Sequence, residues 1–209
     1  MRRKLLTGLA GSIAFLILGN LAIFAFFQWA SSSASAAVTH IPGVDNFRVV
    51  DDELLRGGRP SSTGYRSLAK RGVTVVVDLR AERHIKWDQE LLDDLGITRI
   101  AIPMRDGQVP TQEQVDSFLD IVDETDGKVF VHCGAGVGRT GTMVASYLVA
   151  GGHADAAGAL RFNLSVGPPS LEQINFVAML ESDDVGKPNP LITAVSRILD
   201  GPRRISKYF

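Results

Sequence analysis

The chain begins with a long apolar stretch. Residues 5–29 contain no Asp, Glu, Lys or Arg, and three basic residues, Arg2 to Lys4, precede them. A helix needs about 20 apolar residues to cross a bilayer, so the pattern predicts a transmembrane signal anchor at residues 1–30. Basic flanks stay on the cytoplasmic side, so we expect the rest of the chain on the periplasmic or extracellular side.

A cleaved signal peptide is the alternative. Residues 34–36 (Ala-Ser-Ala) have the small-x-small form of a signal-peptidase site, and cleavage near Ala36 would release a secreted domain. The apolar stretch is longer than the roughly 7–15 residues usual in cleaved signals, which favours the anchor. We therefore expect a linker at 31–44, one domain at 45–182 and a helical extension at 183–209.

Beyond the linker, strand-like and helix-like patterns alternate. Val73–Val77 and Lys128–His132 are runs typical of strands that a sheet buries on both faces. Val115, Phe118 and Val122 recur at helical spacing and predict one buried helix face. The alternation predicts an α/β fold with a mostly parallel central sheet and helices on both faces. Further expected elements are a hairpin at 47–56, a strand at 98–102, and helices at 62–71, 85–95, 140–150, 154–164, 170–180 and 190–199.

Charge and cysteine content exclude several classes of function. The chain has 22 basic and 23 acidic residues, and three of the basic ones precede the apolar stretch, so the domain itself is acidic. An acidic domain lacks the basic face that nucleic-acid binding requires. Cys133 is the sole cysteine, which excludes an intramolecular disulfide and a two-cysteine metal or redox motif.

A glycine-rich segment connects a strand to a helix directly after Cys133. Such a connection forms an anion site, because backbone N–H groups converge there and the helix dipole favours negative charge. The same surroundings favour the thiolate of Cys133, which can attack phosphorus. Arg139 follows after five residues, and its planar fork matches two phosphoryl oxygens. The segment predicted to bind phosphate consists of Gly134, Ala135, Gly136, Val137 and Gly138.

The residues around this segment resemble the signature of a known enzyme family. The run His132–Gly141, with its His-Cys pair, five loop residues and closing Arg-Thr-Gly, is similar to that of the cysteine-based protein tyrosine and dual-specificity phosphatases. The likeness extends over most of residues 46–180, and the turns at 55–60 and 78–80 resemble bacterial members. The resemblance implies that family's fold and hydrolysis of phosphomonoesters without a cofactor or metal.

The resemblance also implies roles for individual residues. Cys133 is the nucleophile that forms a phosphocysteine, and Arg139 clamps the phosphoryl group. Thr140 donates a hydroxyl hydrogen bond to the departing thiolate. His132 orients the loop that follows it.

A carboxylic acid that protonates the leaving alkoxide is a further requirement of the family. Asp106 lies on a polar loop bounded by Pro103 and Pro110, which suits an acid that closes onto bound substrate. Asp78 is the competing candidate, but it directly follows a buried strand and is expected to pair with Arg80. We therefore assign the general acid to Asp106.

Gln173 resembles a glutamine that orders the hydrolytic water in tyrosine phosphatases. Those enzymes place their main water-positioning glutamine one turn earlier, where this chain has Pro168 and Pro169. We therefore favour the interpretation that Gln173 is a polar residue on an exposed helix surface.

Several alternatives stay open. The segment between Cys133 and Arg139 contains no lysine, so polyphosphorylated headgroups gain no extra charge there. An anchored domain is nevertheless well placed to act on lipid or inositol phosphates. An inactive module that binds a phospho-ligand is a different class, and a rhodanese-type sulfurtransferase shares the Cys-x5-Arg spacing. The favoured substrate is a phosphorylated protein or a small phosphate ester.

Overall fold

A five-stranded mixed sheet lies at the centre of the computed structural model, which describes residues 40–82, 89–180 and 189–199. The strand order is β1-β2-β5-β3-β4; β1 pairs antiparallel with β2, and the other neighbours pair in parallel. The strands are β1 (Arg48–Val49), β2 (Leu54–Gly57), β3 (Val73–Arg80), β4 (Thr98–Met104) and β5 (Lys128–His132). The helices are α1 (Ser62–Ala69), α2 (Gln89–Asp94), α3 (Gln112–Glu124), α4 (Gly138–Ala150), α5 (Ala156–Leu164), α6 (Leu171–Ala178) and α7 (Pro190–Leu199). The predicted α/β fold and hairpin are confirmed.

Both faces of the sheet are covered by helices. Successive side chains of a strand point to opposite faces, so Val129 and Val131 of β5 pack into one hydrophobic cluster and Phe130 into the other. Helices α3, α4, α5 and α6 contribute to the first cluster, and α1 and α2 to the second. This double burial explains why β3 and β5 read as nearly continuous apolar runs.

The parallel strands bring their carboxyl ends to one edge of the sheet. His132, the last residue of β5, pairs with Gly57 of β2 on one side and with Asp78 of β3 on the other. On the next pair, Arg80 of β3 lies opposite Met104 of β4. The loop that follows β5 is therefore flanked by the turns after β2, β3 and β4, which is the usual place for a site in an α/β sheet.

Several element boundaries differ from the prediction. β3 continues to Arg80 because Asp78, although charged, is buried and paired. α4 begins at Gly138, two residues earlier than expected, so the glycine-rich segment turns directly into helix. α5 begins at Ala156 because the side chain of Asp155 caps it. The helix predicted at 85–95 is observed from Gln89 to Asp94, and residues 83–88 lie outside the described part.

Some predictions fall on residues that the structure does not describe. The anchor at 1–30, residues 31–39 of the linker, and the domain boundary at 182 and 183 lie outside it. Within residues 40–82, 89–180 and 189–199, no helix combines the length and apolarity that crossing a bilayer requires. From the C-terminal extension, α7 packs on α6, where Arg197 lies 3.4 Å from Glu172.

Candidate active site

The loop from Cys133 to Val137, called the Cys133 loop below, turns its carbonyl groups outward. The carbonyl of Gly134 accepts a hydrogen bond from the backbone N–H of Arg59 (2.9 Å). The carbonyl of Ala135 accepts one from Asn46 Nδ2, also at 2.9 Å. The partners lie before and after β2, so the first hairpin of the domain holds this side of the loop.

Arg56 binds the next two carbonyls of the loop. Its Nη2 donates to the carbonyl oxygens of Gly136 (2.8 Å) and Val137 (3.4 Å). Because these carbonyls face outward, the neighbouring N–H groups point to the inside of the loop. Within the described part of the chain, no backbone N–H from residue 134 to residue 140 donates a hydrogen bond. A ring of amides without partners at a helix N-terminus is suited to an oxyanion.

Gly136 makes this loop geometry possible. Its φ of +75° lies in the left-handed region, and an added Cβ would lie 2.2 Å from the carbonyl carbon of Gly57 and 2.4 Å from the nitrogen of Gly58. Backbone packs directly on backbone at this point, and no side chain fits between. The loop and the turn after β2 are therefore in fixed contact.

Cys133 lies at the base of the loop, and its side chain is buried, with 3% exposed. Thr140, in the first turn of α4, is fully buried, and its Oγ1 has no hydrogen-bond partner among the described residues. Buried hydroxyl groups are rarely left without a partner. This hydroxyl is therefore available to a ligand or to the sulfur, as its implied role requires.

Arg139 is almost entirely engaged by protein groups. Its Nη1 donates to Glu82 Oε2 (3.0 Å) and to the carbonyl of Met104 (3.1 Å), and its Nη2 donates to Glu82 Oε1 (2.8 Å). Asp106 Oδ1 lies 3.3 Å from Nη2. Nε is buried and has no partner in the described structure. A phosphate would therefore bind Nε and the side of Nη2 that now faces Asp106.

The ion pair between Glu82 and Arg139 changes the ionisation of both groups. Partial burial disfavours the charged form of Glu82, but the hydrogen bonds and charge of Arg139 outweigh it and lower the pKa of Glu82. Burial also works against the charge of Arg139, whereas Glu82, Cys133 and Asp106 together raise its pKa. Both groups of the ion pair are therefore charged at neutral pH.

Asp106 lies beside Arg139 in the structure. It occupies the turn after β4, and its side chain is about 39% exposed. The sequence predicted a mobile loop that closes an acid onto substrate, and the structure places this acid at the loop already. The carboxyl is near enough to reach the ester oxygen of a phosphoryl group that Arg139 binds.

Two side chains of α6 hold the turn that carries Asp106. Ser170 Oγ donates to the carbonyl of Gly107 at 3.0 Å, and Gln173 Nε2 donates to the carbonyl of Gln108 at 3.0 Å. Each bond is made to a main-chain oxygen next to the acid. The position of the acid therefore depends on a helix that follows the Cys133 loop in sequence by some thirty residues.

His132 is placed to support the loop. Its Nδ1 lies 3.0 Å from the carbonyl oxygen of Cys133, and because that oxygen can only accept, Nδ1 carries the proton. Burial lowers the pKa of His132 to about 4, although the charge of Asp78 opposes the shift. The ring is therefore neutral at pH 7 and fixes the strand end.

Asp78, the competing candidate for the acid, is committed elsewhere. Its carboxylate lies 2.9 Å from Arg80 Nε and 3.4 Å from Arg99 Nη2, and its side chain is fully buried. This pairing with Arg80 is the one expected from the sequence. Its carboxylate oxygens are thus taken up by two arginines.

The expectation that Gln173 lies on an exposed surface is wrong. Its side chain is 2% exposed, and its Oε1 accepts from the backbone N–H of Ser170 at 3.0 Å. It also packs against Gly138, where an added Cβ would lie 2.4 Å from Gln173 Oε1. The physical reason is that the N-terminus of α6 lies against the N-terminus of α4.

The sequence arguments missed two charged residues of the site, Glu82 and Arg56. Glu82 lies two residues after a strand whose carboxyl end meets the loop, and a charged residue at that position is a usable signal. Arg56 lies between two leucines and two glycines, where an isolated charge is unusual. Neither signal identifies the partner, because the partners are 57 and 80 residues away.

Comparisons with known proteins decide the family. The model of a family described as "PTP-NADK: DSP-PTPase phosphatase fused to NAD+ Kinase" matches residues 34–179. The chain belongs to this family. This family is part of the cysteine-based protein tyrosine and dual-specificity phosphatase group, as the resemblance implied. The matched region begins after the predicted anchor and includes the whole Cys133 loop.

Two curated relatives agree with this assignment. The dual specificity protein phosphatase CDC14C of Symphalangus syndactylus is 37% identical over 79 residues, which is 38% of this chain and 16% of the relative. The tyrosine-protein phosphatase CDC14 homolog of Schizosaccharomyces pombe is 29% identical over 130 residues, 56% of this chain and 24% of that protein. The chain thus spans less than a quarter of the length of each.

Solved structures share the fold. The core catalytic domain of the PP-IP phosphatase SIW14 from S. cerevisiae, in complex with citrate, has a TM-score of 0.60 at 17% identity, covering 78% of this chain and 96% of that one. PTPMT1 in complex with PI(5)P has a TM-score of 0.55 at 22% identity, covering 64% of this chain and 93% of that one. At these identities the likeness is one of fold.

Proposed function

We propose that the domain hydrolyses phosphomonoesters through a phosphocysteine on Cys133 and that its substrates are phosphorylated proteins carrying phosphotyrosine or phosphoserine and phosphothreonine. The observation that carries the proposal is the ring of amides without partners above a buried cysteine, closed by the free Nε of Arg139. Such a cradle binds the three equatorial oxygens of a phosphoryl group and stabilises the charge on them.

The first step transfers the phosphoryl group to the protein. The sulfur of Cys133 forms a bond to phosphorus while the bond between phosphorus and the ester oxygen breaks. Asp106 begins this step protonated and uncharged, so it does not hold Nη2 of Arg139 as a carboxylate would, and Nη2 binds a phosphoryl oxygen together with Nε. Asp106 then gives its proton to the ester oxygen as the bond to phosphorus breaks.

The second step releases phosphate. Water attacks the phosphocysteine, Asp106 accepts a proton from that water, and the sulfur leaves as thiolate. The hydroxyl of Thr140 is the buried donor available to that thiolate. The protein supplies every group the cycle needs, so no redox partner or cofactor takes part in it.

Phosphorylated proteins are preferred as substrates because the curated relatives are named as protein phosphatases. A lipid or inositol phosphate is the second candidate, since two proteins of similar fold are a PP-IP phosphatase and a complex with PI(5)P. The two candidate substrate classes are distinguished by comparing the rates at which phosphotyrosine peptides, phosphoinositides and inositol phosphates are hydrolysed under one set of conditions. Hydrolysis of the peptides alone supports the first candidate.

The full-length chain in detergent micelles tests the proposed chemistry with an aryl phosphate. We expect Cys133→Ser to abolish turnover and Asp106→Ala to lower kcat by about 10²–10⁴-fold. Asp123→Ala, which removes an exposed carboxylate on α3, is the matched control and should have no effect. A folded wild type that binds phosphate without turnover would favour the inactive binding module instead, and turnover of thiosulfate that ignores Asp106 would favour a sulfurtransferase.

The proposal includes a location outside the cytoplasm, with residues 1–30 as a membrane anchor. It rests on the uncharged stretch at 5–29 and on the basic residues in front of it. A compartment-sensitive reporter fused after Phe209 tests the orientation. Activity of the reporter in the cytoplasm would contradict the proposal, and release of the domain into the medium would favour cleavage near Ala36.

A further inference from the structure

Arg56 is a completely buried arginine whose hydrogen-bond partners are all neutral. Its Nη1 donates to Asn163 Oδ1 at 2.7 Å, and its Nη2 donates to the carbonyls of Gly136 (2.8 Å) and Val137 (3.4 Å). Its guanidinium carbon lies 5.7 Å from the centre of the Phe162 ring. Within the described residues, no carboxylate lies at ion-pair distance from it.

A buried positive charge without a counter-charge is costly, so the structure must compensate it elsewhere. Burial lowers the pKa of Arg56 to about 10, and the charge of Arg48 adds to this, whereas the charge of Cys133 opposes it. Arg56 is therefore protonated at neutral pH. Its guanidinium is hydrogen-bonded to the loop that begins at Cys133, so it lies next to the residue that carries negative charge in the proposed reaction.

We propose that Arg56 is a second cationic positioning residue of the active site, which stabilises the thiolate of Cys133 and holds two carbonyls of the Cys133 loop away from the bound oxyanion. The inference rests on the proposed function, because that function needs the thiolate. Arg56 approaches the loop from the side opposite to the substrate, so it acts through the loop and the sulfur.

The geometry explains why arginine occupies this position. One guanidinium bridges Asn163 on α5 and two consecutive carbonyls of the loop, which a single ammonium group cannot span. Asn163 in turn lies against Gly141 of α4, where an added Cβ would be 2.8 Å from its Oδ1. The amide therefore fixes both the arginine and the helix that follows the loop.

Substitution of Asn163 by Asp separates the two parts of the proposal. The side chain keeps its shape and its hydrogen bond to Arg56, but it adds a negative charge that competes with the thiolate for the arginine. If Arg56 serves only to brace the loop, the variant should react like wild type, because the hydrogen bond becomes stronger. If its charge matters, the cysteine becomes less reactive.

The readouts are specific because Cys133 is the sole cysteine of the chain. They are the rate of alkylation by iodoacetamide at pH 7, the ultraviolet absorbance of the thiolate, and the affinity for tungstate by calorimetry, all on the full-length chain. We expect Asn163→Asp to slow alkylation by about tenfold, because the added negative charge lowers the fraction of Cys133 that is thiolate at pH 7. Tungstate affinity should fall with it while circular dichroism is unchanged.

Two variants of the arginine complete the test. Arg56→Met should lose thiolate absorbance and tungstate binding, and Arg56→Lys should restore part of the absorbance but less of the binding. Arg48→Met is the matched control: Arg48 is the cross-strand neighbour of Arg56, is nearly buried, and donates to the carbonyl of Phe47. This control should leave both readouts at the wild-type level.

Wild-type alkylation and tungstate affinity in Asn163→Asp would overturn the inference, even if Arg56→Met fails to fold. Hydrolysis of an aryl phosphate by the wild type is measured in parallel. If the variants lose thiolate absorbance and the wild type has no turnover, the proposed function fails while the role of Arg56 stands. If turnover is present and the variants keep their thiolate, only the inference fails.

Discussion

Glu82 and Arg139 form an ion pair in which each carboxylate oxygen contacts one terminal nitrogen of the guanidinium, at 3.0 and 2.8 Å. Because Glu82 occupies both terminal nitrogens, Nε and one side of Nη2 are what Arg139 offers a ligand. The orientation of the phosphate clamp is therefore set by a residue 57 positions earlier in the chain.

Removal of this ion pair should impair catalysis without unfolding the domain. We expect Glu82→Ala to lower kcat/KM for an aryl phosphate by about 10–100-fold, because a buried arginine loses its charged hydrogen-bond partner and its fixed orientation. Glu82→Gln should lie between Ala and wild type. Glu113→Ala, on the exposed start of α3, is the control, and unchanged kinetics in both Glu82 variants would contradict the assignment.

The bond from Ser170 to the turn of Asp106 should affect the acid step selectively. We expect Ser170→Ala to lower kcat about tenfold for substrates with poor leaving groups and less for good ones, since only the former depend on protonation. In an Asp106→Ala background the same change should have little further effect. Asp155→Ala, which removes a comparable helix cap from α5, controls for lost capping. Additive losses would show that Ser170 acts independently of Asp106 and would contradict the assignment.

Gly136 and Gly152 both have a positive φ, but only Gly136 is packed against other backbone, so substituting each separates the effect of strain from the effect of crowding. Gly136→Ala should abolish tungstate binding and reduce activity by at least about 100-fold, because the added methyl group would displace the loop from Gly57 and misplace the amides. Gly152 also has a positive φ, of +67°, but open space around it, so Gly152→Ala should cost only about 1 kcal/mol of stability. An active Gly136→Ala would disprove the role assigned to the loop geometry.

His132 should make the domain less stable in mild acid. The folded state keeps the ring neutral down to about pH 4, whereas the unfolded chain takes up a proton near pH 6.5. Stability from this group is therefore complete above pH 6.5 and is lost as the pH falls toward 4, which amounts to about 2 kcal/mol at pH 5. Urea denaturation of wild type and His132→Gln at pH 7 and pH 5 measures it. The difference between the two proteins should shrink at pH 5.

The sequence predicted the position of the Cys133 loop better than the residues that support it. The strand, the glycines and the spacing of Cys133 and Arg139 are local features, so the α/β fold and the position of the loop follow from the pattern alone. Residues that hold the loop belong to other elements, and a pattern along the chain does not reveal which distant carbonyl or guanidinium a side chain meets. Arg56 and Glu82 were missed for this reason.

The sequence also failed to predict that Gln173 is buried. Its spacing from Ser170 matches a capping box, which the structure contains, but such a motif occurs on exposed and buried helix ends alike. Only the packing of α6 against α4 makes the amide part of the site. Asp78 and Asp106 could be distinguished in the sequence, because position at the end of a buried strand and position between two prolines are local properties.

The outward carbonyls of the loop have a consequence for how the domain folds. Their partners, Asn46, Arg56 and Arg59, precede the loop by 75 to 89 positions and belong to the first hairpin and its turn. An intermediate in which that hairpin has not docked on β5 would contain the nucleophile and the clamp but no ordered anion cradle. Such contacts, distant in sequence, form late and slowly, so inorganic phosphate should bind only the completed domain and shift the folding equilibrium toward it.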